Sequence, residues 1–288
     1  MEPSIEVRCI GFVLTEQGGN EKIISGQMCA AATQVAATPC DSEAAVHRLR
    51  QIGGYSLPMH VTKSPGALLA QLFETQSAID SSGREVCLIA NISPAFSSAL
   101  TRVVRENKVM CAVEVGLAYG TSALSILEGL GVGGKLISLD PFHEQLGRVG
   151  KILIDQSTRA ADHELIELPD YLGLPHLIER GVVADLVYID GMHTFDYVAL
   201  DAFYADKLIK PGGIIAFNDC GFRSIHKFLK YFVSHRHYEE LNVGLRPDFK
   251  GRNPLVTLAR TIERRSNQDR YFRKLDDWEP EHNFFKSF

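Results

Sequence analysis

Cys111-Ala-Val-Glu-Val-Gly-Leu-Ala-Tyr-Gly-Thr-Ser122 is the stretch that decides the fold. An apolar run carries Glu114, breaks at Gly116 and Gly120, and passes into Ala123-Leu-Ser-Ile-Leu127, whose apolar spacing is helical. The expected structure is a strand, a tight glycine turn and a helix start. Glycine lets a backbone bend sharply and approach a ligand closely, and the free N–H groups of a first helical turn favour anionic groups. A nucleotide-like cofactor is therefore expected at Gly116, Gly120 and Ser122.

The spacing narrows the choice. Dinucleotide enzymes carry Gly-x-Gly-x-x-Gly after their strand, whereas here Gly116-x-x-x-Gly120 follows Glu114 by two residues. A pyrophosphate disfavours a neighbouring carboxylate, which suits a cationic amino-acid moiety better; this argues against a nicotinamide dehydrogenase. Glu-x-Gly-x-x-x-Gly resembles motif I of class I S-adenosylmethionine (SAM) methyltransferases, with Ala118 where many members have a further glycine. An ordinary strand-to-helix turn that needs glycine for geometry alone is the competing reading.

The next strand supports the cofactor reading. After the Gly133-Gly134 turn, Lys135-Leu-Ile-Ser-Leu139 ends at Asp140, about twenty residues past the glycine turn, where an acid binds ribose hydroxyls. An N-cap before Pro141 is the alternative for Asp140. The resemblance implies that Asp140 is the ribose acid, that Ser122 helps hold the SAM carboxylate and that Phe142 or His143 packs near the adenine. Phe142 reads more simply as a core aromatic.

From Arg84 onward strand and helix patterns alternate, which implies an α/β fold: a Rossmann-like, doubly wound, mostly parallel sheet of the class I methyltransferase type. Expected strands are Ala112–Val115, Leu136–Leu139, Glu164–Leu168, Asp185–Ile189 and Gly213–Phe217, with helices at Ser97–Arg105 and Phe195–Ile209. Tyr238–Val243 and Pro254–Ala259 are read as an antiparallel edge pair. Residues 1–83 form an N-terminal helical extension, with helices expected in Asp41–Arg50 and Pro65–Ile79; residues 84–260 are the cofactor-binding domain; residues 261–288 are a charged and aromatic tail. The charge run from Arg260 to Lys274 reads as a solvated helix face.

Asp190-Gly-Met-His193 follows the fourth strand and Asn218-Asp219 the fifth, so both emerge at the carboxyl edge where the glycine turn holds its ligand. Asp190, Asn218 and Asp219 are oxygen donors, suited to Mg²⁺ or a similar hard divalent cation; strand-end caps are the alternative. The pattern is similar to divalent-cation-dependent O-methyltransferases of the catechol and macrocin O-methyltransferase type. That resemblance implies Asp190, Asn218 and Asp219 as metal ligands and His193 as general base. Histidine titrates near neutrality, which suits it to accept a hydroxyl proton. Comparable enzymes place an acid after the third strand, and here Asp170 is in position to accept from the adenine amino group, although Pro169 stands where the acid is usual.

The composition restricts partners. A net charge of -5 leaves no electrostatic footprint for nucleic acid or anionic membrane, so a small hydroxylated metabolite, such as a sugar or natural-product intermediate, is the expected acceptor. The 6 cysteines are dispersed without a Cys-x-x-Cys pair, as in a reduced cytoplasmic protein, and Glu2, Glu6 and Arg8 interrupt any N-terminal apolar stretch. Apolar faces between Asp41 and Ile79 suggest a homo-oligomer. The rival readings are a metal-independent small-molecule N- or O-methyltransferase and a SAM-binding, non-catalytic partner subunit.

Overall fold

The computed structural model describes residues 62–88 and 91–288. Its first helix, α1 (Pro65–Thr75), starts where Ser64 caps the Ala67 N–H and Pro65 supplies a preset φ. The strands β1 (Ser77–Ile79) and β2 (Glu85–Cys87) form a small antiparallel hairpin. Then come α2 (Pro94–Glu106), β3 (Cys111–Val115), α3 (Thr121–Gly129), β4 (Lys135–Leu139), α4 (Val149–Asp155), β5 (His163–Ile166), α5 (Asp170–Glu179), β6 (Ala184–Ile189), α6 (Phe195–Leu208), β7 (Ile209–Phe217), α7 (Arg223–His235), β8 (Tyr238–Leu241), α8 (Pro254–Glu263) and β9 (Arg270–Lys274). The helix expected in Asp41–Arg50 lies outside the described residues.

Seven strands form one sheet in the order β5-β4-β3-β6-β7-β9-β8. The five strands β3 to β7 pair in parallel, and β9 runs antiparallel between β7 and β8. This is the Rossmann-like sheet of class I methyltransferases. Strands β3, β6 and β7 are buried on both faces, which is why they read as continuous apolar runs. One face packs Ala112, Leu136, Tyr188 and Tyr271 against α1, α2 and α3. The other packs Val113, Ile137, Val187 and Phe217 against α5, α6 and α7.

Chain order fixes where a ligand can sit. From β3 the chain moves outward through β4 and β5, then returns to build β6 and β7 on the opposite side of β3. The β3/β6 boundary is therefore the topological switch point, whose crevice opens at the carboxyl ends of the strands. Leu139 accepts from the Gly116 N–H, Val115 from the Asp190 N–H and Ile189 from the Asn218 N–H, at 2.9, 2.9 and 3.0 Å. Glycine loop, Asp190 and Asn218 thus share one edge.

The C-terminal part departs from the sequence reading. Pro254–Ala259 is the start of helix α8 and no strand: Asn253 accepts from the Val256 N–H at 2.9 Å and Pro254 occupies the first turn. The last strand is β9, inside the charge run read as a solvated helix face and beyond the expected domain boundary at residue 260. Its charges are accounted for by pairing. The Arg270 guanidinium grips Glu240 with two bonds of 2.6 Å. Lys274 is 5% exposed, and its ammonium donates to the Asp206 and Ile209 carbonyls at 2.8 and 3.0 Å while pairing with Asp206 and Asp277.

Removing one partner of such a buried set leaves the others uncompensated. Lys274→Met is expected to lower unfolding free energy by roughly 3–5 kcal/mol, measured by urea denaturation. A loss below about 1 kcal/mol, the scale of an exposed pair, would mean that Lys274 does not anchor β9.

Candidate functional site at the carboxyl edge

The glycine loop takes three left-handed residues, Gly116, Ala118 and Gly120, with φ of 92°, 43° and 79°. At Gly116 the reason is backbone crowding: a Cβ there would lie 2.2 Å from the Asp190 carbonyl oxygen. Gly116 therefore lets the ends of β3 and β6 approach, which is a structural demand in addition to any ligand. Gly120 opens α3, and a Cβ there would lie 3.0 Å from the Gly150 Cα. Ala118 adopts the left-handed region with a methyl group in place of the usual glycine hydrogen, a strain of about 1 kcal/mol.

Asp140 holds this loop in place. One carboxylate oxygen accepts from the Leu117 and Ala118 N–H groups at 3.1 and 2.8 Å, and the other from the Phe142 N–H at 2.7 Å. The expected ribose acid thus stands at the loop and already has backbone partners. Phe142 is 54% exposed and is no core aromatic; His143 is buried beside it, with neither ring nitrogen bonded. Burial pushes the His143 pKa down, which keeps the ring neutral.

Glu114 is the unusual group. It is fully buried on β3, beneath the first turn of α3, where one oxygen accepts from the Ser138 hydroxyl at 2.6 Å and Oε1 has no partner. Burial drives its pKa up to about 8, with the Ser122 and Ser138 hydroxyls opposing and Asp190 and Asp140 adding to the rise. At neutral pH its carboxyl is mostly protonated. Ser122, itself buried, stands in the first turn of α3 as expected.

On the other side of the loop, Asp170 opens α5 and is 7% exposed. Sequence reasoning missed its neighbour Asp201, fully buried on α6 with neither oxygen bonded. Both carboxyls flank Gly191: a Cβ there would lie 3.8 Å from Asp170 Oδ2 and 3.9 Å from Asp201 Oδ2. Burial and the Asp170 charge push Asp201 up to about 9, so one proton is held in the pair. A signal existed, since Asp201 sits among Val198, Ala202 and Ala205 on the apolar stripe of its helix.

Asp190, His193 and Asp219 come together as the sequence suggested. His193 Nε2 lies 3.4 Å from Asp190 and Nδ1 lies 3.7 Å from Asp219, and the ring stacks on Phe222 at 5.1 Å. Burial lowers the imidazole pKa, but the contact with Asp190 and the charges of Asp190 and Asp219 outweigh it, so the net shift is upward. Asn218 is nearly buried, and its amide oxygen accepts from the Asp219 N–H at 2.6 Å. The expected cation cradle is not what these residues form: Asn218 has turned its oxygen to the backbone and an imidazole stands between the two acids. Among the described residues no group of three or more His, Cys, Asp and Glu side chains is arranged to hold a metal ion.

Comparison with known proteins agrees with this architecture. Residues 113–220 match a family described as a methyltransferase domain. An O-methyltransferase from Bacillus cereus, solved in complex with SAH (S-adenosylhomocysteine), superimposes with a TM-score of 0.50 at 16% identity, covering 68% of this chain and 89% of that one. The O-methyltransferase TomG from Streptomyces achromogenes, involved in tomaymycin synthesis and solved with SAM, gives 0.55 at 12% identity over 80% and 95%. The SAH-bound Podospora anserina methyltransferase PaMTH1 gives 0.54 at 15% identity over 89% and 100%. No curated protein matches the chain by sequence. Among the described residues no helix is long and apolar enough to cross a membrane.

The Glu114 geometry makes stability depend on pH. The folded carboxyl binds its proton more tightly than the unfolded one, so its contribution is fully present in acid and is lost as pH rises towards about 8. Glu114→Gln should flatten the fall in urea-denaturation free energy between pH 5 and 8, an effect on the order of a few kcal/mol. An unchanged slope would show that Glu114 ionises in place without penalty.

Proposed function

We propose that the chain transfers a methyl group from SAM to an oxygen of a small hydroxylated acceptor, with His193 taking the proton. The observation that carries this reading is a convergence at the β3/β6 switch point. A buried carboxyl with an unpartnered oxygen, Glu114, lies under the glycine loop, and an imidazole held between two acids, His193, lies beside it on the same edge. The SAH and SAM bound in the structural neighbours support the choice of cofactor.

The residues present fit such a cofactor. Glu114 Oε1 is an unbonded acceptor suited to an α-ammonium, with the Ser122 hydroxyl turned to the same carboxyl, and Ser122 offers a first-turn N–H towards a carboxylate. The loop fixed by Asp140 gives backbone close approach, and Asp170 stands with Asp201 beside Gly191 at the end of β6. Bound there, the sulfonium supplies an electrophilic methyl group. The protein then has to position an oxygen in line and remove its proton, and positioning carries most of the benefit. His193 Nε2 lies 3.4 Å from Asp190 with no hydrogen bond occupying it and Nδ1 lies 3.7 Å from Asp219, so the acids act on the ring by charge and leave it a nitrogen for the proton, while the ring stacks on Phe222. Its raised pKa makes it a stronger base than a free imidazole, and Asp219 stabilises the imidazolium that forms.

As arranged, Asp190, Asn218 and Asp219 do not fit a divalent cation, so no step of this reading passes through one. A second reading keeps the cation, because Asp190 and Asp219 bring two carboxylates to one point and a swing of the His193 ring would leave oxygen donors suited to Mg²⁺. The test is a methyl-transfer assay on a panel of small hydroxylated acceptors, in EDTA and in Mg²⁺. Activity is expected to survive chelation, and His193→Ala is expected to lose roughly 10²- to 10⁴-fold in rate while binding SAH normally. Loss in EDTA with recovery on Mg²⁺ would favour the second reading; full activity of His193→Ala would remove the histidine from the chemistry in either.

A further inference from the structure

Asp269 immediately precedes β9, whose first residue, Arg270, pairs with Phe217 at the end of β7. It therefore stands at the level of Asn218, on the same edge as Asp190 and Asp219. The side chain is 1% exposed; one oxygen accepts from the Tyr188 hydroxyl at 2.9 Å, and Oδ1 has no partner. Next to it Gln268 has a buried, unpartnered amide oxygen. Both residues line an open cavity of about 380 Å³, together with Glu240, Asn242, Val243 and Pro247. That volume is within the range of small-molecule sites.

The lining asks for donors and for positive charge. The one cationic side chain among its lining residues, Arg270, is tied to Glu240 by two bonds of 2.6 Å and lies over the Phe272 ring. Two buried acceptors, Asp269 Oδ1 and Gln268 Oε1, are left over, and unmade bonds of this kind are unfavourable until something fills them. A hydroxyl brings one donor and no charge. A primary ammonium brings three donors and a charge, enough for both acceptors, and favours the Asp269 carboxylate that burial, with the Asp190 and Asp219 charges, otherwise disfavours.

We propose that this cavity is an acceptor subsite that takes an ammonium group, read by Asp269 and Gln268, so that the methylated molecule is a hydroxylated amine. The inference rests on the methyltransferase reading and deepens it. Buried carboxylates beside the reacting edge then serve two ends: Glu114 faces the cofactor and Asp269 faces the acceptor.

Binding to the full chain, saturated with SAH, tests it with matched probes that differ only in amine against hydroxyl: tyramine and tyrosol, glucosamine and glucose, cyclohexylamine and cyclohexanol. Calorimetry or ligand-observed NMR at neutral pH is expected to give at least one amine binding ~10-fold or more tighter than its hydroxyl twin, the scale of one charged hydrogen bond. Asp269→Asn keeps an acceptor for Tyr188 but turns an amide NH₂ into the cavity, and should erase the preference while leaving SAH affinity within about twofold. Gln268→Leu, away from the Tyr188 contact, should reduce the preference in part and guards against a folding defect in the first variant. Equal binding of every pair, or a preference that survives Asp269→Asn, overturns the subsite. Failure of SAH itself to bind would overturn the methyltransferase reading instead.

Discussion

The close approach of Gly116 to the Asp190 carbonyl is the constraint from which the rest of the edge follows. A side chain at Gly116 would collide with backbone at 2.2 Å, so the ends of β3 and β6 meet only because that position is glycine. Their meeting closes the crevice from below, buries Glu114 beneath the first turn of α3 and delivers Asp190 and His193 beside the loop. Water is excluded from Glu114, and exclusion raises its pKa. A charged group held that way is unfavourable in the empty protein and favourable once a cation lies against it, which is how a binding site stores selectivity in a buried acid.

The same logic recurs three times along the sheet edge. Glu114, Asp201 and Asp269 are each buried, each has an unpartnered oxygen, and each has its pKa raised chiefly by burial. Asp140 is the counterexample that clarifies them. Also a carboxylic side chain and nearly as buried, it receives three backbone N–H bonds and serves as a fixed clasp on the loop. What separates a clasp from a waiting acceptor here is the number of donors the backbone has already turned towards the carboxylate.

Much of this was readable from residue order because it depends on local pattern. Continuous apolar runs ending at Gly116, Asp140, Asp190 and Asn218 announce parallel strands and their carboxyl ends, and parallel topology brings those ends together. The rest depends on partners distant in sequence. Strand β9 looked like a solvated charge run because Arg270 and Lys274 are neutralised by Glu240 and Asp206, which no local window contains. Helix α8 passed for a strand although Asn253-Pro254 is a helix start and Leu255, Leu258 and Ile262 recur at helical spacing, because the segment Pro254–Ala259 taken alone is too short to show that period. Asp269 was invisible because its chemistry comes from burial, whereas Asp201 left one trace, its place on the apolar stripe of α6. The metal ligands were read from residue type, and the structure spends Asn218 on a backbone bond and seats His193 between the acids.

The central claim, that Glu114 is the buried acceptor for a cofactor's ammonium group, makes a measurable demand on protons. Near pH 7 its carboxyl carries a proton that an incoming ammonium must displace. Calorimetric titration of SAH in buffers of different ionisation enthalpy should therefore show binding with release approaching one proton per SAH, and Glu114→Gln should bind more weakly with that release lost. Tight SAH binding without proton release, or release unchanged in Glu114→Gln, would contradict the account.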